Sequence, residues 1–180
     1  MDDALSVYAA FARNNAWANH RLHRAMAALD DAAFDAPRVN VFPSLRATAV
    51  HILEVDLLYL DALDGARSAA LADDVDRGEL RRRQRVTDDR LIAFCDRLTS
   101  EAAARAVDLD RRTWVQVERA DRILLHLFQH QIHHRGQAHA MLADTRVAPP
   151  QLDEFFLAEE APLRADDFQE LGWRDDGVWP

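Results

Sequence analysis

Four long stretches of this chain repeat apolar residues every three to four positions without meeting a proline, and that spacing commits most of the sequence to amphipathic helices. The prolines fall at 37, 43, 149, 150, 162 and 180, each between or beyond those stretches. Val7, Phe11, Trp17, Leu22, Met26 and Leu29 place a first helix at about Asp3–Leu29, with Asp2 or Asp3 as its cap. Asp30–Pro43 is a connection. Ser44 caps a second helix, Leu45–Leu63, which Asp64-Gly65 ends. Arg67–Gly78 is polar and reads as a loop with a short helical turn at most. A third helix, Glu79–Arg105, opens with RRRQR, a charge run read as a solvated face rather than a phosphate site. Val107–Val117 gathers valines, Leu109 and Trp114 around a turn-like Asp108–Arg112, as a small β-hairpin or an extended linker would. Asp121 caps a fourth helix that stops before Pro149-Pro150. Leu152–Glu160 reads as a short fifth helix, and the tail, 162–180, carries Trp173 and Trp179 and should lie over the body of the domain. The expected fold is all-α: a four-helix bundle spanning residues 1–161, with that tail packed on it.

Composition narrows the chemistry. At 180 residues and 49% hydrophobic, the chain can bury one core. Its net charge of −9 sets it against a phosphate backbone, so nucleic acid is not an expected partner. Every basic residue is arginine, which excludes lysine chemistry such as Schiff bases. The single cysteine, Cys95, allows no internal disulfide and no multi-cysteine zinc site. It sits among Leu91, Ile92, Phe94 and Leu98 and reads as a buried, inert thiol. The sequence has no signal-peptide pattern and no apolar run long enough for a membrane span, so a cytoplasmic location is expected.

Five of the eight histidines crowd into His126–His139 (HLFQHQIHHRGQAH). On a helix, His130 and His134 stand one turn apart on one face and can share a metal ion if a third ligand arrives from elsewhere. His126 with His130, or His130 with His133, would serve as well on spacing alone. His51 is the candidate third ligand, because it sits inside the apolar second helix; the alternative is a core histidine satisfied by a hydrogen bond. His20 and His23 flank arginines and read as surface residues. There is no HExxH, no Glu-x-x-His, no Gly-rich phosphate loop and no G-x-S-x-G elbow. A mononuclear histidine site is what remains.

ARNNAWANHRL (12–22), SLRATAVHILEVDLLYL (44–60) and HQIHHRGQAHAML (130–142), followed by PPQLDEFFLAEE (149–160), together resemble the DinB family of the DinB/YfiT-like superfamily. The resemblance implies a four-helix bundle, often a homodimer, with a divalent metal, usually zinc or nickel, held by His51, His130 and His134. It implies that His133 does not bind the ion directly. Members with assigned activities are mostly thiol-dependent S-transferases or isomerases that use a low-molecular-weight thiol. Gln137 could order a ligand histidine or a metal-bound water. Glu54, three residues after His51, could be a fourth ligand, a general base or a surface carboxylate. Gly136 costs about 1 kcal/mol in mid-helix relative to alanine, which suggests close packing of a neighbouring helix.

The leading expectation is a metal-dependent enzyme acting on a small molecule, in thiol transfer, isomerisation or hydrolysis. Three protein ligands leave a coordination position open. A non-catalytic metal-binding or stress-response module is the second, and would need a closing fourth ligand. A plain helical dimer with core histidines is the third. No catalytic residue is assigned from the sequence.

Overall fold

The computed structural model describes residues 3–66, 71 and 75–178, with side chains from Leu5 onward. The cap expected from Asp2 or Asp3, most of the loop beginning at Arg67, and Trp179 lie outside the described residues or side chains. The chain runs α1 (Asp3–Ala27), α2 (Asp31–Asp35), α3 (Leu45–Leu63), α4 (Arg77–Asp96), α5 (Ser100–Ala104), β1 (Ala106–Asp110), β2 (Val115–Arg119), α6 (Ala120–Leu142) and α7 (Ala161–Leu171). Helices α1, α3, α4 and α6 form the bundle: α1 and α3 each pack against both α4 and α6.

Local chemistry sets the ends. Ser44 Oγ accepts a hydrogen bond from Ala47 N and fixes the start of α3, as its sequence required. Asp76 caps α4 in the same way, so that helix begins at Arg77, two residues earlier than expected. The third helix is also not continuous to Arg105. It stops at Asp96, and Thr99 restarts a single turn, α5, by accepting from Ala102 N.

Val107–Val117 belongs to an antiparallel hairpin in which Ala106 pairs with Arg119 and Asp110 with Val115. Arg112 takes a left-handed conformation in its turn (φ 68°), where Asp110 Oδ1 accepts from its N–H. Val107 and Leu109 point into the core. β2 feeds α6 directly, so Arg119 rather than Asp121 stands at the N-cap; Asp121 lies in the first turn, paired with Arg119. At the other end of the chain, the short helix expected over Leu152–Glu160 does not form: bends and turns there bury Phe155, a 3-10 turn follows at Ala158–Glu160, and the helix is α7, in the segment expected to be a tail. Pro162 suits its first turn and Gly172, left-handed at φ 72°, closes it.

α7 packs on α1, and this reverses the expected exposure of His20 and His23. Trp17 Nε1 donates to Asp167 Oδ2 at 3.0 Å, and Arg21 and Arg24 pair with the same carboxylate. His23 is buried and His20 half-buried against Glu170. Val7, in contrast, is exposed. The inward face of α1 runs instead through Ala9, Ala12 and Ala16, small residues that a hydropathy pattern underweights. Cys95 is buried as expected, and burial pushes its thiol up to about 12.

Two apolar clusters of the bundle lie on either side of a polar layer, and a third, which includes Trp17, Ala18, Phe155, Phe168 and Leu171, joins α7 to α1. Of the flanking pair, one joins Leu5, Ala9 and Ala12 to Leu60, Leu91, Leu124 and Phe128. The other joins Leu22 and Met26 to Leu45, Leu53, Leu80, Ala138 and Leu142. Between them, Asn15, Asn19, Asp56, Gln84, Asp88, Gln131 and Arg135, contributed by all four bundle helices, are buried. Gln84 is therefore the one member of RRRQR that does not belong to a solvated face.

The layer is wired through amides. Arg135 Nη1 donates to the side-chain oxygens of Asn15, of Asn19 at 3.1 Å and of Gln131 at 3.0 Å. The amide nitrogens of Asn15 and Asn19 donate to Asp88 Oδ1 at 3.2 and 2.9 Å, and that of Gln131 donates to Asp56 Oδ2. Gln84 bridges Asp56 and Asp88. Each of the three amides thus relays one cation to a carboxyl group, and none could be flipped without setting N–H against the guanidinium. One cation faces two carboxyls. Burial raises Asp56 to about 6, and burial with the Asp56 charge raises Asp88 to about 8, so of the two it is Asp88 that holds its proton to higher pH.

A carboxyl whose folded pKa lies above its unfolded value favours folding at low pH, and that contribution is lost as pH rises through the folded pKa. Histidines with lowered pKa act in the opposite sense, but only below about pH 6.5. Stability measured by urea denaturation in chelator should therefore fall between about pH 6.5 and 8, and Asp88→Asn should flatten that fall.

Candidate metal centre

Two stripes of α6, offset by one residue, face different surroundings. Gln131 and Arg135 enter the polar layer. His130 and His134, one position earlier in each case, turn towards α3, where His51 meets them. One ligand nitrogen of each histidine lies within 4.8 Å of the others, and among the described residues this is the one such group of histidine, cysteine or carboxylate side chains. His51 Nε2 and His130 Nε2 are 3.0 Å apart. A tetrahedral ion with bonds of ~2.0–2.1 Å sets its nitrogens ~3.3 Å apart, so the pocket has the size of a metal site.

The protonation states agree with the geometry. Burial lowers His51 to about 4, helped by His134, and lowers His130 to about 3, helped by His134 and His51. Burial also lowers His134, against the opposing effect of the hydrogen bond it donates to Gln137. All three rings are thus neutral at pH 7, the form that ligates. A neutral imidazole has one nitrogen lone pair, and in the tautomer protonated on Nδ1 each ring turns it to the shared point; without an ion, His51 Nε2 and His130 Nε2 are within hydrogen-bond distance. His130 Nδ1 is itself buried without a hydrogen bond, so this ring's polar partner has to come from the Nε2 side.

Gln137 fixes the third ring. His134 Nδ1 is 2.8 Å from Gln137 Oε1, which makes the imidazole a donor there and leaves Nε2 as its ligand atom. The amide nitrogen of Gln137 in turn donates to His133 Nε2 at 3.1 Å. His133 is exposed and outside the three-nitrogen group. The expected ligands His51, His130 and His134 are thus brought together, and His133 and Gln137 stand behind His134.

Glu54 is not part of the group. It faces a groove of about 970 Å³ between α3 and the hairpin, lined also by Leu58, Arg105, Val107 and Arg111. Arg111 sits over the Tyr59 ring and hydrogen-bonds its hydroxyl at 3.4 Å, and the edge of His126 meets the same ring. Gly136 is exposed, with nothing near the position of a Cβ, so it admits no neighbouring helix of this chain. Phe42 is the residue that sequence reasoning missed. It projects from the loop before α3, stacks on His51 at 4.1 Å between centroids and meets His134 edge-on at 5.5 Å. No periodicity marks a loop side chain.

Residues 1–170 match the DinB family. The chain belongs to the DinB family. No curated protein matches it at a significant level. As a DinB-family protein it combines a mostly helical fold, a small hairpin and a three-histidine cluster able to chelate a divalent metal ion. None of its described helices is long and apolar enough to cross a membrane.

Because Gln137 holds the His134 ring, Gln137→Ala should weaken metal affinity by about 10–100-fold while leaving the helical fold intact. Competition with a chromophoric chelator, alongside far-UV circular dichroism, measures both.

Proposed function

We propose that this DinB-family chain is a divalent-metal-dependent enzyme in which His51, His130 and His134 hold zinc or nickel and a low-molecular-weight thiol is the co-substrate of S-transfer or isomerisation. The observation that carries this reading is the convergence of three neutral imidazoles with no fourth protein ligand among the described residues. A structural zinc site is normally closed by four protein ligands, and Glu54, the residue able to close this one, faces the groove instead. That observation weighs against a purely structural ion. When bound, the ion supplies Lewis acidity that lowers the pKa of a thiol or water in the open position.

The protein's own residues then have defined tasks. Cys95 is buried, so the reacting sulfur comes from outside the chain. Phe42, stacked across His51, shields that side of the cluster from water. Glu54, one turn after His51 on α3, lines the groove, and in this reading its carboxylate is the proton acceptor for a thiol that enters there. Arg105 and Arg111, on the opposite wall, suit the anionic part of a small substrate. A metal-dependent hydrolase would use the same ligands, and only turnover without added thiol would favour it.

We also propose a cytoplasmic homodimer. Leu125 and Ile132 are exposed on the same side of α6 as Gly136, an apolar strip whose glycine leaves room for a helix of a second copy.

Untagged protein purified without a nickel column should contain about one divalent ion per chain by elemental mass spectrometry, and His51→Ala and His134→Ala should contain none. Wild type that stays metal-free after zinc or nickel is offered would defeat the enzyme reading. Light scattering should report a dimer for wild type and a monomer for Ile132→Asp, with the metal content unchanged.

A further inference from the structure

A second pocket, of about 350 Å³, opens between α1, α4 and α7, on the other side of the bundle from the α3–α6 histidines. We propose that it binds a small organic carboxylate, held by the Arg81 guanidinium, the His23 imidazole and the Asp88 carboxyl.

The argument starts from which charges there are already committed. Glu170 pairs with His20 at 2.9 Å and with Arg24 at 3.1 Å. Arg85 pairs with Asp89 at 3.2 Å and donates to the Leu171 carbonyl at 3.3 Å. Arg81 lines the same pocket, is exposed, and makes no hydrogen bond or ion pair among the described residues. An uncommitted guanidinium is a planar fork matched to a carboxylate.

Two buried groups stand ready beside it. His23 is only 8% exposed, yet its ring makes no hydrogen bond among the described residues, which is unusual for a buried imidazole. Burial, with Arg81 and His20 nearby, lowers it to about 4, so at neutral pH it offers one N–H donor. Asp88 accepts from Asn15, Asn19 and Gln84, all on Oδ1. That leaves Oδ2 for the proton that burial and the Asp56 charge favour on this carboxyl, and so for a second donor. One cation and two neutral donors suit a single negative charge. The second charge of a phosphate would find Arg85 already engaged and Glu170 opposite.

Propionate is the probe, with propionamide as its uncharged isostere and inorganic phosphate as the competing oxyanion. Each is titrated at constant ionic strength and pH 7 while the histidine ring signals are followed by NMR. Propionate should shift His23 and His20 saturably, propionamide should not, and Arg81→Ala should weaken propionate by about tenfold or more. His51→Ala, which removes a metal-site histidine, should leave propionate binding unchanged, so success or failure here is independent of the metal reading. Non-saturable shifts, unchanged affinity in Arg81→Ala, loss of binding in His51→Ala, or saturation by phosphate but not propionate would each overturn the assignment.

Discussion

The buried Arg135 is the constraint around which the bundle is arranged. A guanidinium enclosed by four helices has no water to solvate it, and leaving it unpaired would cost several kcal/mol. Its partners are supplied by α1 and by α6 itself, and through their amides by the carboxyls of α3 and α4. Every bundle helix therefore has one depth and one rotation at which the layer closes. Apolar clusters alone tolerate sliding, because leucine against leucine fits at several offsets. A polar layer with directional donors does not. This is the sense in which a buried network that contributes little net stability can still specify one packing arrangement.

The metal centre depends on that setting. Because His130 and His134 precede Gln131 and Arg135 by one residue each, the angle that satisfies the layer also aims the two imidazoles at α3. His51 is delivered by a helix whose start is fixed by Ser44 and whose Asp56 is tied into the same layer. The two sides of α6 thus divide the work: one side fixes position, and the other presents lone pairs.

Much of this was legible in the sequence, and the failures share a cause. The four bundle helices, Ser44 as a cap and the meeting of His51 with His130 and His134 follow from periodicity, capping chemistry and the family resemblance, all of which are local or pattern-borne. What could not be read was long-range. His23 looks like a surface residue until α7 is known to lie across α1. Gln84 looks like part of a charged face until Asp56 and Asp88 are seen beneath it. The break between Asp96 and Thr99 was visible as a threonine–serine pair, but nothing local ranks that cap above a continuing helix. Phe42 lies in a loop, where neither period applies. Gly136 was expected to pack against a neighbouring helix, and no atom of this chain lies near the position of its Cβ; a single chain's sequence does not say whether a neighbour is its own or another copy's.

A ligand set held by a scaffold that closes without the ion behaves differently from one that the ion must assemble. In small zinc modules, binding and folding are one event, and the ion's binding free energy is largely spent on ordering the chain. Here Arg135 and its amides tie the four helices together through bonds that include none of the three histidines. Association with this site should consequently resemble a rigid chelator filling, with a small heat-capacity change and little gain in secondary structure. Such a cage selects ions by the geometry it already has, and can exchange one for another without the fold taking notice.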